Sequence, residues 1–82
     1  EMVDIERVPY FEKLFSKLDN NQKEEIKTRI RKIVANPEIG KPMRYARKGT
    51  REVYAGSFRL SYAYIPEENK IIFLDLHHKD EQ

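Results

Sequence analysis

Two groups of residues in this chain have the types and spacing to do chemistry. Arg59 sits in the middle of an alternating run, Gly56-Ser57-Phe58-Arg59-Leu60-Ser61-Tyr62, and His77-His78-Lys79 stands where the last apolar run, Ile71-Ile72-Phe73-Leu74-Asp75-Leu76, gives out. Arginine is permanently cationic and forks onto two phosphate oxygens. Histidine is the side chain that titrates near neutrality without perturbation, so it can serve as acid or base. From Lys41 to Arg59 the cations Lys41, Arg44, Arg47, Lys48, Arg51 and Arg59 face one acid, Glu52. That local excess, more than the net charge of +2, describes a surface built to meet phosphates. The two histidines are adjacent and lack a partner histidine or cysteine at ligand spacing, so neither a metal nor any other cofactor is expected.

The elements that must position these groups can be read from periodicity. Val3 and Ile5 alternate with Asp4 and Glu6, as in a short half-buried strand. Pro9 suits a first helical turn, and Phe11, Leu14, Phe15 and Leu18 form an apolar stripe. Asp19-Asn20-Asn21 breaks that helix, and Asn21 with Glu24 approximates a capping box for the next. Ile26, Ile30, Ile33 and Val34 line one face of the second helix, which Asn36-Pro37 stops. After Gly40-Lys41-Pro42 the period falls to about two, giving expected strands over Met43 to Arg47, Arg51 to Ala55, Phe58 to Tyr64 and Ile71 to Leu76. Gly56-Ser57 and Pro66-Glu67-Glu68-Asn69 read as turns. The predicted architecture is α+β: an N-terminal strand and an antiparallel helical hairpin packed on one face of a mainly antiparallel sheet of four to five strands. If Leu60 and Tyr62 point at the helices, Arg59 points onto the open face. Asp75, His77 and Lys79 share one side of the last strand, with Leu74, Leu76 and His78 on the other.

Eighty-two residues make a single domain, 1–82, with a modest core. The chain has no cysteine, hence no disulfide or thiolate site. No apolar run approaches the roughly 18 residues of a membrane span, and no apolar h-region opens the sequence, so a cytoplasmic protein without a membrane partner is expected.

The helical hairpin, the Gly-Ser-Phe-Arg-Leu-Ser-Tyr strand, the acidic turn and the apolar strand ending in His-His-Lys together resemble the RelE/ParE toxin superfamily of type II toxin–antitoxin systems. Gly56 to Tyr62 is similar to that family's Gly-x-Tyr/Phe-Arg-Leu/Val-x-Tyr core. The resemblance implies a RelE-like fold and, for the RelE branch, metal-independent, ribosome-dependent endonucleolytic cleavage of mRNA in the A site, which inhibits translation. The implied partners are a RelB-like antitoxin, the ribosome and mRNA, with operator DNA met only through the antitoxin. Arg59 falls on the family's strand arginine at the scissile phosphate. Lys79 falls where many RelE members carry a second arginine, and His78 on the catalytic histidine of the YoeB-like branch. The chain departs in three ways: Glu52 and Tyr54 replace a pair of RelE lysines, Met43 stands where the YoeB-like branch has a catalytic glutamate, and Asp80-Glu81-Gln82 offers no counterpart to the C-terminal RelE tyrosine.

Cleavage through the 2′-hydroxyl needs a base for the 2′-OH proton, cations for the phosphorane, and an acid for the departing 5′-oxygen. The catalytic candidates are Arg59, His78, His77, Lys79 and, as the missing base, Glu52. The RNA-binding candidates are Arg44, Arg47, Lys48, Arg51 and Tyr54, the last as a stacking or hydrogen-bonding group. Each has a plainer reading. Arg59 can pair with Glu52 across neighbouring strands, the histidines can fray into solvent, Asp75 can orient an imidazole or only blunt an edge, and Lys23, Lys27, Arg31 and Lys32 suit a solvated helix face. Two alternatives to a nuclease are a ParE-like toxin that binds gyrase and an inactive relative acting as corepressor with its antitoxin.

Overall fold

The computed structural model describes residues 2–80 of the chain. Glu81 and Gln82, part of the tail in which no counterpart of the RelE tyrosine was found, lie outside the described residues. The elements run β1 (Asp4–Arg7), α1 (Pro9–Ser16), α2 (Asn20–Ala35), β2 (Lys41–Pro42), β3 (Thr50–Ala55), β4 (Phe58–Ile65) and β5 (Lys70–His78). They build one five-stranded sheet in the order β1-β5-β4-β3-β2. The β2–β3, β3–β4 and β4–β5 pairs are antiparallel, and β1 joins β5 in parallel.

Local chemistry explains the helices. Pro9 occupies the first turn of α1, where a missing N–H costs nothing. The cap of α2 lies two residues earlier than the sequence suggested. Asp19, not Asn21, accepts the Gln22 N–H at 2.8 Å, while the Gln22 side chain accepts the Asp19 N–H at 3.0 Å. The reciprocal pair works because Gln22, like Glu24, can reach back over three residues, and Asp19 already has the extended backbone of a cap. Asn36 ends α2 at φ −145°, ψ 87°, pushed from the helical region by Pro37.

Phe11, Ile26 and Ile33 of the helices close on Ala55, Phe58, Leu60, Tyr62, Ile71, Phe73 and Leu76 of the sheet. Odd positions of β3 and even positions of β4 therefore face the helices, and Arg59 is turned onto the other face. At the β3–β4 turn Gly56 has φ 61°, and a Cβ there would also run into the Glu25 carboxylate of α2.

One expected strand is absent. Met43 to Arg47 is not extended: the ladder to β3 stops at Pro42, and Tyr45–Arg47 forms a single 3₁₀ turn. Alternation over five residues was too short to outweigh a run of cations at a sheet edge, and Tyr45 takes φ 58°, incompatible with a strand.

Candidate nucleic-acid interface on the open sheet face

Cross-strand pairing assembles the site. Tyr54 of β3 pairs with Arg59 of β4, and Arg59 pairs in turn with His77 of β5, so three chemistry-bearing residues lie in one row. In the next row Glu52 pairs with Ser61, and Ser61 with Asp75. A bulge in β5 creates this alignment. Tyr62 pairs with Phe73 but Ser61 pairs with Asp75, so Leu74 is the extra residue. Ile71 and Phe73 are buried before the bulge and Leu76 after it. Uninterrupted alternation from Ile71 would have buried Asp75 and His77. The added residue re-aims both onto the open face, a common use of bulges near sites.

The Arg59 guanidinium lies over the Tyr54 ring, 5.3 Å from its centroid, and its Nε is buried without a hydrogen-bond partner. Glu52 does not neutralise it. The Glu52 carboxylate, only 10% exposed, has its ion pair with Arg47 at 3.6 Å, and its Oε2 likewise lacks a hydrogen bond. The plain structural pair between Arg59 and Glu52 is therefore not formed. A donor and an acceptor on the same side of the sheet are instead buried without a hydrogen bond, an uncommon state for polar atoms.

His77 Nδ1 lies 3.6 Å from the Asp75 carboxylate, so the acid two residues earlier orients the imidazole beside Arg59. His78 is on the opposite side. It pairs with Phe58 and packs edge-on against that ring at 5.5 Å, with Nδ1 accepting the Asp80 N–H at 3.3 Å. The two histidines are thus separated by strand alternation, and it is His77, not His78, that the fold brings to Arg59. Lys79 lies in the turn after β5, exposed, its N–H donated to the Ser57 carbonyl at 2.8 Å.

Arg51 also departs from expectation. It is on the helix side, where Nη1 donates to the carbonyls of Glu38 (3.0 Å) and Gly40 (2.8 Å). Its neighbour Tyr62 donates to the Pro37 carbonyl at 2.7 Å and accepts the Gly40 N–H at 2.9 Å. Charge counting placed Arg51 with the phosphate ligands; strand parity removes it, since it pairs with the core residue Tyr62. Arg44, Arg47 and Lys48 are exposed in the segment between β2 and β3, and Arg47 reaches the open face beside Arg59.

Two shallow grooves meet at Arg47 and Arg59. One, of about 670 Å³, runs past Tyr54 and Glu52 to Lys41 and Met43 and takes in Arg29 of α2. The other, of about 580 Å³, runs past Asp75 and His77 to Tyr10 and Leu14. Tyr10 and Arg29 were not singled out in the sequence. Neither carries a local signal, because both sit in ordinary amphipathic helix patterns and reach the groove only through tertiary packing.

A family model described as "ParE toxin of type II toxin-antitoxin system, parDE" matches residues 5–82. The chain belongs to the ParE toxin family. It is accordingly a toxin of a type II toxin–antitoxin system, and the RelE/ParE resemblance of its sequence holds. No curated protein matches it in sequence. Among solved structures, a chain of the RelBE2 toxin–antitoxin complex from Mycobacterium tuberculosis superposes with a TM-score of 0.85 at 20% identity, covering 95% of this toxin and 99% of that chain. A chain of the intact E. coli RelBE complex gives 0.80 at 17% identity, covering 93% and 95%. A chain of the archaeal RelE–RelB complex from Pyrococcus horikoshii gives 0.77 at 12% identity, covering each chain in full. The ParE-family toxin therefore has the RelE-like α+β fold. Among its described residues, no helix is long and apolar enough to cross a membrane.

Proposed function

We propose that this toxin is a metal-independent endoribonuclease that cleaves mRNA in the ribosomal A site. The observation that carries the reading is the open-face row of Tyr54, Arg59 and His77, with a buried guanidinium nitrogen awaiting an acceptor. A phosphate over Arg59 receives a bidentate, charge-assisted contact from the guanidinium. In the reaction the ribose 2′-oxygen attacks the adjacent phosphorus and the bond to the 5′-oxygen breaks, leaving a 2′,3′-cyclic phosphate and a 5′-hydroxyl. Glu52 accepts the 2′-OH proton, Arg59 neutralises the phosphorane, and His77, held by Asp75, protonates the 5′-oxygen. Arg44, Arg47, Lys48 and Lys79 hold flanking phosphates. So small and open a face cannot by itself align a single strand for in-line attack, which is why the ribosome is needed. A RelB-like antitoxin, with an acidic segment over the basic surface, is the partner that holds the toxin inactive.

The ParE family match favours a second reading, in which the toxin binds gyrase and cuts nothing. Primer extension on programmed ribosomes separates them. New 5′-ends inside A-site codons, absent without ribosomes and absent with Arg59→Ala, support the nuclease. An uncut message, together with inhibited gyrase supercoiling by the same protein, defeats it.

A further inference from the structure

Tyr45 is 90% exposed and occupies left-handed backbone, φ 58°, where an L-residue with a large side chain is strained. The turn that holds it is not loose. Met43 N–H donates to the Thr50 carbonyl (3.0 Å), Arg47 N–H to Arg44 (3.2 Å), Lys48 N–H to Tyr45 (3.0 Å), and the Thr50 hydroxyl to Arg47 (2.7 Å). A well-tied turn thus throws an aromatic ring into solvent, with no ring contact to any described residue. Arg44 and Lys48 flank it, both exposed. Arg47 leads from the turn back to Glu52 at 3.6 Å and lines the same groove as Arg59. A scattered exposed tyrosine needs no explanation. A strained one between cations, two residues from Arg47 in the groove that also holds Arg59, does, because strain of this kind persists at ligand clamps.

We infer that Tyr45 is a nucleobase platform: it stacks on a base flanking the scissile step, while Arg44 and Lys48 hold the phosphates on either side. The inference rests on the nucleic-acid reading of the open face and deepens it by adding a positioning residue outside the catalytic row. Stacking on an aromatic face tolerates any base, so the platform fixes the strand's path and not its sequence.

The chain contains no tryptophan, so Tyr45→Trp supplies a single reporter. Titration with a short labelled single-stranded RNA at low salt should quench its emission about twofold in step with binding. An abasic strand of equal length should bind with no quench. Tyr45→Ala should weaken RNA binding about tenfold, and Tyr45→Phe should restore it, since stacking uses the ring face. Tyr45→Gly should bind as poorly as Tyr45→Ala while melting no lower than the parent, because glycine takes this backbone without strain. RNA that fails to bind, or that binds with unchanged tryptophan emission, overturns the inference. So does Tyr45→Ala binding at parental affinity, or a reporter that responds only to an antitoxin peptide. Quenching without cleavage on ribosomes would sink the nuclease reading and leave the platform standing; cleavage without quenching would do the reverse.

Discussion

Arg51 and Arg59 lie on adjacent antiparallel strands, eight residues apart in sequence, and meet opposite fates. Arg51 is on the helix face and its guanidinium donates to the Glu38 and Gly40 carbonyls, tying the loop after α2 to β3. Arg59 is on the open face, stacked on Tyr54, with its Nε unsatisfied. Both are partly buried cations of identical chemistry. What separates them is strand parity, which gave one a set of backbone acceptors and left the other without any. The same parity rule sorts the histidines, sending His77 to Arg59 and His78 to Phe58. A satisfied buried arginine stabilises the fold; an unsatisfied one costs stability.

The comparison breaks most severely if Arg59 proves structural. Arg59→Ala should lower cleavage of ribosome-bound message by about 10³-fold, the scale of losing a main transition-state charge. Its thermal midpoint should hold or rise, since removing an unsatisfied buried donor relieves a cost. A lower midpoint with normal cutting would make Arg59 a second Arg51. The histidines sharpen the contrast at the next magnitude. His77→Ala should lose about 10²-fold in single-turnover rate, in the range of a lost proton donor. His78→Ala should instead show up in the midpoint, through the lost edge contact with Phe58, with cutting little changed. Equal kinetic losses at both positions would refute their separation by the sheet.

Arg51→Met inverts the expectation. It removes two hydrogen bonds to carbonyls and should cost about 1–3 kcal/mol in urea unfolding, with cutting per folded molecule unaltered. Gly40→Ala attacks the same junction from the other side. The new Cβ would stand 2.7 Å from the Tyr62 hydroxyl and 2.9 Å from Arg51 Cβ, so it should destabilise by a similar amount through displacement of both. Neither change should touch the salt dependence of RNA binding, whereas Arg44→Ala and Lys48→Ala should flatten it by about one counterion each.

Much of this was legible in the chain. The alternation around Arg59 fixed its face, because Phe58, Leu60 and Tyr62 must be buried together, and the β-α-α-β order before the hairpin set the layers. Arg51 was misplaced because local charge density says nothing of parity, and its acceptors come from a loop more than ten residues away. His77 and His78 were indistinguishable for a different reason. A bulge shifts parity within β5, and no residue type marks Leu74 as the extra one. Tyr45 was hidden by an alternation that resembled a strand; its positive φ is a property of the closed turn. The core is written in composition and period, while the site depends on register.

The finest test of the Arg51 side of the contrast is a pH slope. Burial pushes the Tyr62 phenol above its ordinary value of 10.0, against smaller opposing effects of the Gly40 N–H and the Arg51 charge. The folded state therefore keeps the proton that the unfolded chain releases near pH 10. The neutral, hydrogen-bonded phenol contributes its stability in full below pH 10, and that contribution is lost as pH climbs through the raised folded value. Other groups also titrate there, so the informative quantity is the difference between the parent and Tyr62→Phe. At pH 8 the variant should be about 1–2 kcal/mol less stable, having left the Gly40 N–H and the Pro37 carbonyl without their partner. Above pH 10 the gap should narrow, because only the parent still has a phenol to ionise. A gap constant across that range would mean that Tyr62 ionises alike in the folded and unfolded chains. The Pro37–Gly40 loop would then open before the core does, and Arg51 would be as free for a ligand as Arg59.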